Sequence, residues 1–207
     1  MSKPDFNSFI VSDSNKKAFE FCCDFVCDKQ KGYILSLYGP GACGKTYLIN
    51  AIQCFVEEDF PNKKINRLPF FSFSESLTAK TLGLYYEMFS NSDLLIIDDL
   101  QVIKCKSFFQ EVFAEIASNV LMNGGNVVVA FDCPISSLKK FFDNIHFASC
   151  NQKVEIKYPD MKLIREFLKV KQKECDVKLS KIEEDKLIRS RWLGVLHWYS
   201  DEKLLTI

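Results

Sequence analysis

The sequence has almost no histidine and no excess of either charge. Among 207 residues only His146 and His197 are histidines, and 27 basic residues balance 27 acidic ones. That balance excludes the uniform basic field of a protein that coats nucleic acid. Apolar runs are short, and none approaches the roughly 20 residues that span a bilayer. The N-terminus, Met1-Ser2-Lys3-Pro4-Asp5, leads into no apolar stretch. No export signal and a cytoplasmic location are therefore expected. Internal repeats, low-complexity tracts and long linkers are also missing. The length suits one domain with a substantial core and a small appendage.

Cysteine is plentiful, at nine residues, but its spacing lacks metal-site order. Cys22, Cys23 and Cys27 form no C-x₂-C pair, and neither histidine lies near a cysteine pair. The expectation is reduced thiols serving as small buried hydrophobes. Cys43 stands apart because it lies beside Lys45. A helix N-terminus and an ammonium there are expected to lower its pKa, leaving it as either a redox-sensitive thiol or an inert filler.

The most informative stretch is Gly39-Pro40-Gly41-Ala42-Cys43-Gly44-Lys45-Thr46, which fits G-x-x-x-x-G-K-[ST]. An apolar strand pattern, Tyr33–Tyr38, precedes it, and a helical pattern, Leu48–Ile52, follows. This is the context a phosphate-binding loop needs. Glycines let backbone N–H groups turn toward phosphates, and the helix N-terminus adds partial positive charge. Lys45 is placed for the outer phosphates, the Thr46 hydroxyl for Mg²⁺, and Tyr47 continues the first helical turn.

A second signal is Leu94-Leu95-Ile96-Ile97-Asp98-Asp99-Leu100. Four apolar residues ending in acids read as a strand buried on both faces, with carboxylates at the ligand-binding edge of a parallel sheet. Asp98 is expected to hold Mg²⁺ opposite Thr46, and Asp99 to polarise an attacking water. Further elements are a linker at Pro61–Lys64, a strand at Pro69–Phe73, and a helix opening at Ser74–Leu77 and ending near Phe89. The apolar repeat Phe108, Phe109, Val112, Phe113, Ile116, Val120 predicts a helix packed on the sheet. Asn123–Asn126 stops it. Val127–Phe131 reads as a buried strand with Asp132 at its end, and Lys153–Ile156 as a last short strand. Asp160 is expected to cap a helix running to about Cys175.

These features together resemble AAA+ ATPases, and more closely the DnaA/Hda family of bacterial replication initiators and their regulatory paralogue. Phe6–Ala18 resembles the family's N-terminal F-x-x-F-x-V-x-x-x-N-x-x-A. Tyr85-Tyr86 with Asp93–Gln101 resembles its Y-Y…L-L-I-D-D-I-Q, and Phe131-Asp132-Cys133-Pro134 its sensor strand. The resemblance implies a P-loop α/β sandwich of three layers with a five-stranded parallel sheet over 1–157, and a short helical lid over 158–207. It also implies ATP or ADP with Mg²⁺ as ligands. Phe9, Ile10, Val11 and Asn15 become candidates for the adenine pocket, Asp132 for the sensor of the γ-phosphate, and Arg191 for a second sensor.

The departures from the family are equally definite. Ile135–Gln152 contains no arginine, although the family places a trans-acting arginine finger there. Lys139 and Lys140 lie nearby, but a point charge does not reproduce the planar fork. Ser72–Tyr86 is shorter than the initiator's single-strand-binding insertion. Neither a C-terminal DNA-binding domain nor a Gln-Leu sliding-clamp motif is expected. The expected role is a nucleotide-dependent switch acting on protein partners such as the replication initiator, the helicase or the sliding clamp, with possible self-association. Hydrolysis is expected to be slow at most, and direct DNA binding weak or nil. The alternatives are a DnaC/IstB-like loader ATPase and a non-hydrolysing adaptor that keeps ADP. The one basic cluster, Lys162, Arg165, Lys169, Lys171 and Lys173, reads as a solvated helix face rather than a phosphate-contacting stripe.

Overall fold

A computed structural model of the chain describes residues 4–27, 31–68 and 79–205. The chain divides into two compact units, Met1–Phe9 with Lys17–Ile156 and Ile10–Lys16 with Lys157–Ile207. The division thus differs from a simple split near residue 157, because seven N-terminal residues belong with the C-terminal helices.

The first unit is built on a five-stranded sheet in the order β2-β3-β4-β1-β5. The strands are β1 (Tyr33–Tyr38), β2 (Ile65–Arg67), β3 (Leu94–Ile97), β4 (Asn126–Phe131) and β5 (Cys150–Glu155). Every pairing is parallel, with Ile34 opposite Val127, Leu95 opposite Val127, Ile65 opposite Leu94, and Tyr33 opposite Cys150. Parallel strands need crossover helices, and those helices bury both faces of the sheet. Alternate strand residues therefore enter two separate cores. Ile34, Leu95, Ile97, Val127, Val129 and Phe131 pack with α3 (Ala79–Ser90), α4 (Ser107–Met122) and α5 (Lys139–Asp143). Leu35, Leu37, Ile96, Val128 and Ala130 pack with α1 (Lys16–Cys27) and α2 (Lys45–Asp59). The result is the three-layer α/β architecture that the family resemblance implies.

Two edge strands depart from the sequence reading. The second strand is Ile65–Arg67, whereas the apolar pattern predicts Pro69–Phe73. That stretch and the helix start at Ser74–Leu77 lie outside the described residues. The last strand begins at Cys150 rather than Lys153. Both are edge strands that expose side chains, so they carry polar residues and send no apolar signal. A 3₁₀ turn at Leu100–Ile103 also intervenes before α4.

The second unit contains α6 (Met161–Glu174), α7 (Lys181–Arg189) and α8 (Arg191–Leu205). Leu163, Ile164, Leu168, Ile188, Trp192 and Val195 form its core, with Ile10 packed against it. Phe167 meets Trp192 edge to face at 4.8 Å. Asp160 caps α6, accepting the Leu163 N–H at 2.8 Å, while its other oxygen accepts the Ser14 N–H at 3.3 Å. Ser180 and Glu183 close a capping box on α7. The expected cap at Asp160 is therefore present, and it also ties down the N-terminal segment of this unit. No helix among the described residues is long and apolar enough to cross a membrane.

Partial burial disfavours an ionised Asp160. The Leu163 N–H, the Ser12 hydroxyl and the Ser14 N–H outweigh it, holding the carboxyl below its ordinary value of 3.8. A depressed folded-state pKa contributes stability above the unfolded value, and that contribution is lost as pH falls through the folded one. Asp160→Ala should destabilise the second unit by about 1 kcal/mol at neutral pH. The difference from wild type should shrink as pH drops below the carboxylate range, as read by hydrogen exchange of the α6 amides.

Candidate functional site

β1 ends at Tyr38 and α2 begins at Lys45, and the six residues between them form the glycine-rich loop. Gly39 makes the turn possible. Its φ is +153°, and an added Cβ would lie 2.0 Å from the carbonyl oxygen of Ile156. Gly39 N–H also donates to the Phe131 carbonyl at 3.3 Å, anchoring the loop to β4. Gly44 then stands at the helix N-cap with φ 102° and no side chain capping it. Ala42 takes a left-handed conformation at φ 58°. The first N–H groups of α2 have no partners within the helix, and they sit where the helix dipole favours an anion.

Lys45 is nearly buried. Its ammonium donates to the carbonyls of Gly39 at 2.9 Å and Pro40 at 2.7 Å. The positive charge is thus held inside the loop by backbone dipoles. Thr46 is exposed at the start of α2. Phe9 stacks on Phe19 at 5.8 Å and lies 5.5 Å from the Tyr47 ring. A Cβ at Gly44 would come within 3.2 Å of Phe9, so Phe9 lies directly against the loop.

Cys43 corrects the sequence reading. Burial pushes its thiol pKa up, and this outweighs the lowering by the Lys45 charge and by hydrogen bonds from the loop. Its Sγ is 3.8 Å from Lys45 Nζ. The thiol packs into the core beside α2, which makes it the inert filler of the two readings.

The C-terminal ends of β3 and β4 bring the acids to the same sheet edge as the loop, since β1, β4 and β3 are neighbours. Asp98 follows β3 and uses both carboxylate oxygens. Oδ1 accepts the Asp99 N–H at 3.0 Å and Oδ2 faces Arg67 at 3.3 Å. Asp99 is exposed and left-handed at φ 55°, a conformation Asp tolerates better than most residues. Gln101 spans the two strand ends. Its side-chain amide donates to Asp99 Oδ1 at 3.0 Å, and its carbonyl oxygen accepts the Asp132 N–H at 3.2 Å.

The loop, Asp98, Asp99, Asp132 and Phe9 all belong to the first unit. Ile10, Val11 and Asn15 belong to the second. There Asn15 is buried and shapes its own segment, accepting the Ser12 N–H and donating to the Ile10 carbonyl. The side chain of Arg191 lies outside the described residues. The basic face of α6 is partly neutralised within the helix, because Lys169 pairs with Glu166 and Lys171 with Glu174.

Sequence reasoning assigned no part to Arg67 or Gln101. Arg67 fell between the expected linker and the expected strand. Gln101 was legible only as a motif letter, since its two contacts depend on the left-handed turn at Asp99.

Comparison with known proteins follows the same lines. The model for the bacterial DnaA ATPase domain matches residues 2–150. The chromosomal replication initiator protein DnaA of a Campylobacter jejuni strain is 30% identical over 148 residues, covering 65% of this chain and 32% of that protein. The chain thus spans about a third of the length of the curated relatives it matches. Among solved structures, a replication initiator DnaA bound to AMPPCP and single-stranded DNA superposes with a TM-score of 0.80. It is 23% identical, with 100% of this chain and 66% of that one covered. The DnaC helicase loader superposes less well, at a TM-score of 0.56 and 15% identity, covering 75% of this chain and 98% of that one.

The placement of the thiols has a direct test. Alkylation with iodoacetamide at neutral pH should label the exposed Cys27 and Cys105 first, and Cys22 and Cys43 last, as followed by peptide mass spectrometry. Rapid labelling of Cys43 would contradict the burial described.

Proposed function

Because this chain belongs to the bacterial DnaA ATPase-domain family, we propose that it is an adenine-nucleotide-dependent switch that acts through protein partners in replication initiation or its regulation. One observation supports this reading above the rest. The uncapped N-terminus of α2, the buried Lys45 and three carboxylates at the ends of β3 and β4 are all borne on one sheet edge. Each group then has a part. Backbone N–H groups of the loop and α2 bind phosphate oxygens, and Lys45 turns from its carbonyl partners to the outer phosphates. Phe9 packs behind the loop.

The donors also suit Mg²⁺. The Thr46 hydroxyl and the Asp98 carboxylate are hard oxygen ligands, and an ionised carboxylate keeps lone pairs beyond the two contacts it makes. When bound, the ion would neutralise charge on the phosphates. Asp99 orients and polarises the attacking water, Gln101 holds Asp99 in place, and Asp132 faces the γ-phosphate. The neutral amide of Gln101 links two acidic strand ends without adding charge, so movement at one carries to the other.

Ligand binding supplies the test. Adenine nucleotide with Mg²⁺ should raise the melting temperature, and Lys45→Ala should abolish the shift. Ligand at about 100 times its Kd adds about 2.7 kcal/mol. A wild-type chain indifferent to millimolar ATP and ADP would refute the reading.

The lack of arginine in Ile135–Gln152 favours a second reading, an adaptor that keeps ADP bound without turnover. An arginine finger contributes about 10³–10⁵ in rate. The isolated chain should accordingly hydrolyse ATP at no more than about 10⁻⁴–10⁻² s⁻¹, as measured by phosphate release. Turnover of several per second would rule out both the slow switch and the adaptor.

A further inference from the structure

Arg67 is the one arginine in the sequence of the first unit; Arg165, Arg189 and Arg191 all belong to the second. It stands at the end of β2, in register with Ile96 of β3. Its Nη2 donates to Asp98 Oδ2 at 3.3 Å and to Asn50 Oδ1 at 2.9 Å. Asn50 lies on α2, the helix that the phosphate loop opens. One guanidinium therefore joins the edge strand, the loop helix and the first acid after β3. The pair is uneven, because the Asp98 side chain is 14% exposed and that of Arg67 41%. The carboxylate is the more desolvated partner, so a positive charge beside it matters more than at an open surface. Asn50 adds a second anchor and limits how freely the guanidinium swings away.

We propose that Arg67 is an internal cation that competes with a divalent ion for Asp98, and so sets how strongly nucleotide binding depends on Mg²⁺. This rests on the Mg²⁺-nucleotide reading of the site. Two cations cannot both occupy the near side of one carboxylate without mutual repulsion. A hydrated divalent ion must therefore displace the guanidinium or share the carboxylate at reduced strength. The energetic scale is that of a partly exposed ion pair, which corresponds to about two- to fivefold in affinity. Binding without a divalent ion leaves the pair intact and escapes this penalty. The consequence is a site that discriminates between free and Mg²⁺-bound nucleotide less sharply than its ligands alone would allow.

The test is titration of the full chain with a fluorescent ADP analogue, once in excess Mg²⁺ and once in excess EDTA. Arg67→Gln should tighten binding in Mg²⁺ by about two- to fivefold and leave binding in EDTA nearly unchanged, so the ratio of the two affinities rises. In an Asp98→Asn background the same substitution should do nothing. Asn50→Ala, which loosens the guanidinium without removing it, should move the ratio the same way by less, and it carries the test should Arg67→Gln fail to fold. An unchanged ratio in a variant that still binds nucleotide overturns the proposal and leaves the nucleotide site standing. An effect that survives Asp98→Asn overturns it too. Failure of the wild-type chain to bind the analogue in either buffer overturns the nucleotide-site reading and this inference together.

Discussion

The first unit turns on the approach of Gly39 to the backbone of Ile156. At that point β1 must leave the sheet between two parallel neighbours and reverse into the loop. No side chain fits, since the carbonyl oxygen of Ile156 occupies the place of a Cβ. Ile156 N–H in turn donates to the Tyr38 carbonyl at 2.7 Å, so the two backbones lock just where the loop begins. With the start of the loop fixed, Gly44 can set the axis of α2, and the α2 N–H groups point to one place. The buried strands give this anchor its rigidity. Ile34, Leu35 and Leu37 are wholly buried, and moving any of them by one residue would exchange the two faces of the sheet.

The second governing feature is the crowding of like charges. Asp98, Asp99 and Asp132 lie along one sheet edge, where like charges repel one another. The chain disperses them by geometry rather than by matching each with a cation. The left-handed turn at Asp99 separates consecutive side chains. Gln101 occupies the gap between strand ends with a neutral amide that donates on one side and accepts on the other. Arg67 neutralises the most enclosed acid, Asp98, while the ammonium of Lys45 is kept within the loop by carbonyl dipoles.

What was legible in the sequence follows from burial. β1, β3 and β4 are covered on both faces, so they appear as continuous apolar runs, and the residue that ends each run is fixed by the sheet edge. Asp98, Asp99 and Asp132 could thus be placed by counting along the chain, as could the loop before Lys45. The edge strands were harder: only the second half of β5 could be placed. β2 and β5 are held mainly by backbone pairing on one side, and their sequences, Ile-Asn-Arg and Cys-Asn-Gln-Lys-Val-Glu, resemble loops. Arg67 was missed for that reason, although it contacts Asp98 at the site. The expected lowering of the Cys43 thiol pKa fails because its neighbours in sequence are charged while its surroundings in space are apolar. The placement of Ile10–Lys16 with the C-terminal helices had no local signal, since it depends on contacts made across the whole chain.

That last placement has a consequence for how the molecule is made. The hydrogen bond from Ser14 to Asp160 spans 146 positions, and Lys157 N–H donates back to the Ser14 carbonyl. The second unit is therefore woven from two stretches that lie far apart in the sequence. A ribosome releases Ile10 well before it supplies Leu163 and Leu168, so Ile10 lacks these packing partners in the interval. A folded sheet between the two segments would shorten the effective loop that remains to be closed. The helical unit can therefore close only once residues from 157 onward have joined the segment 10–16.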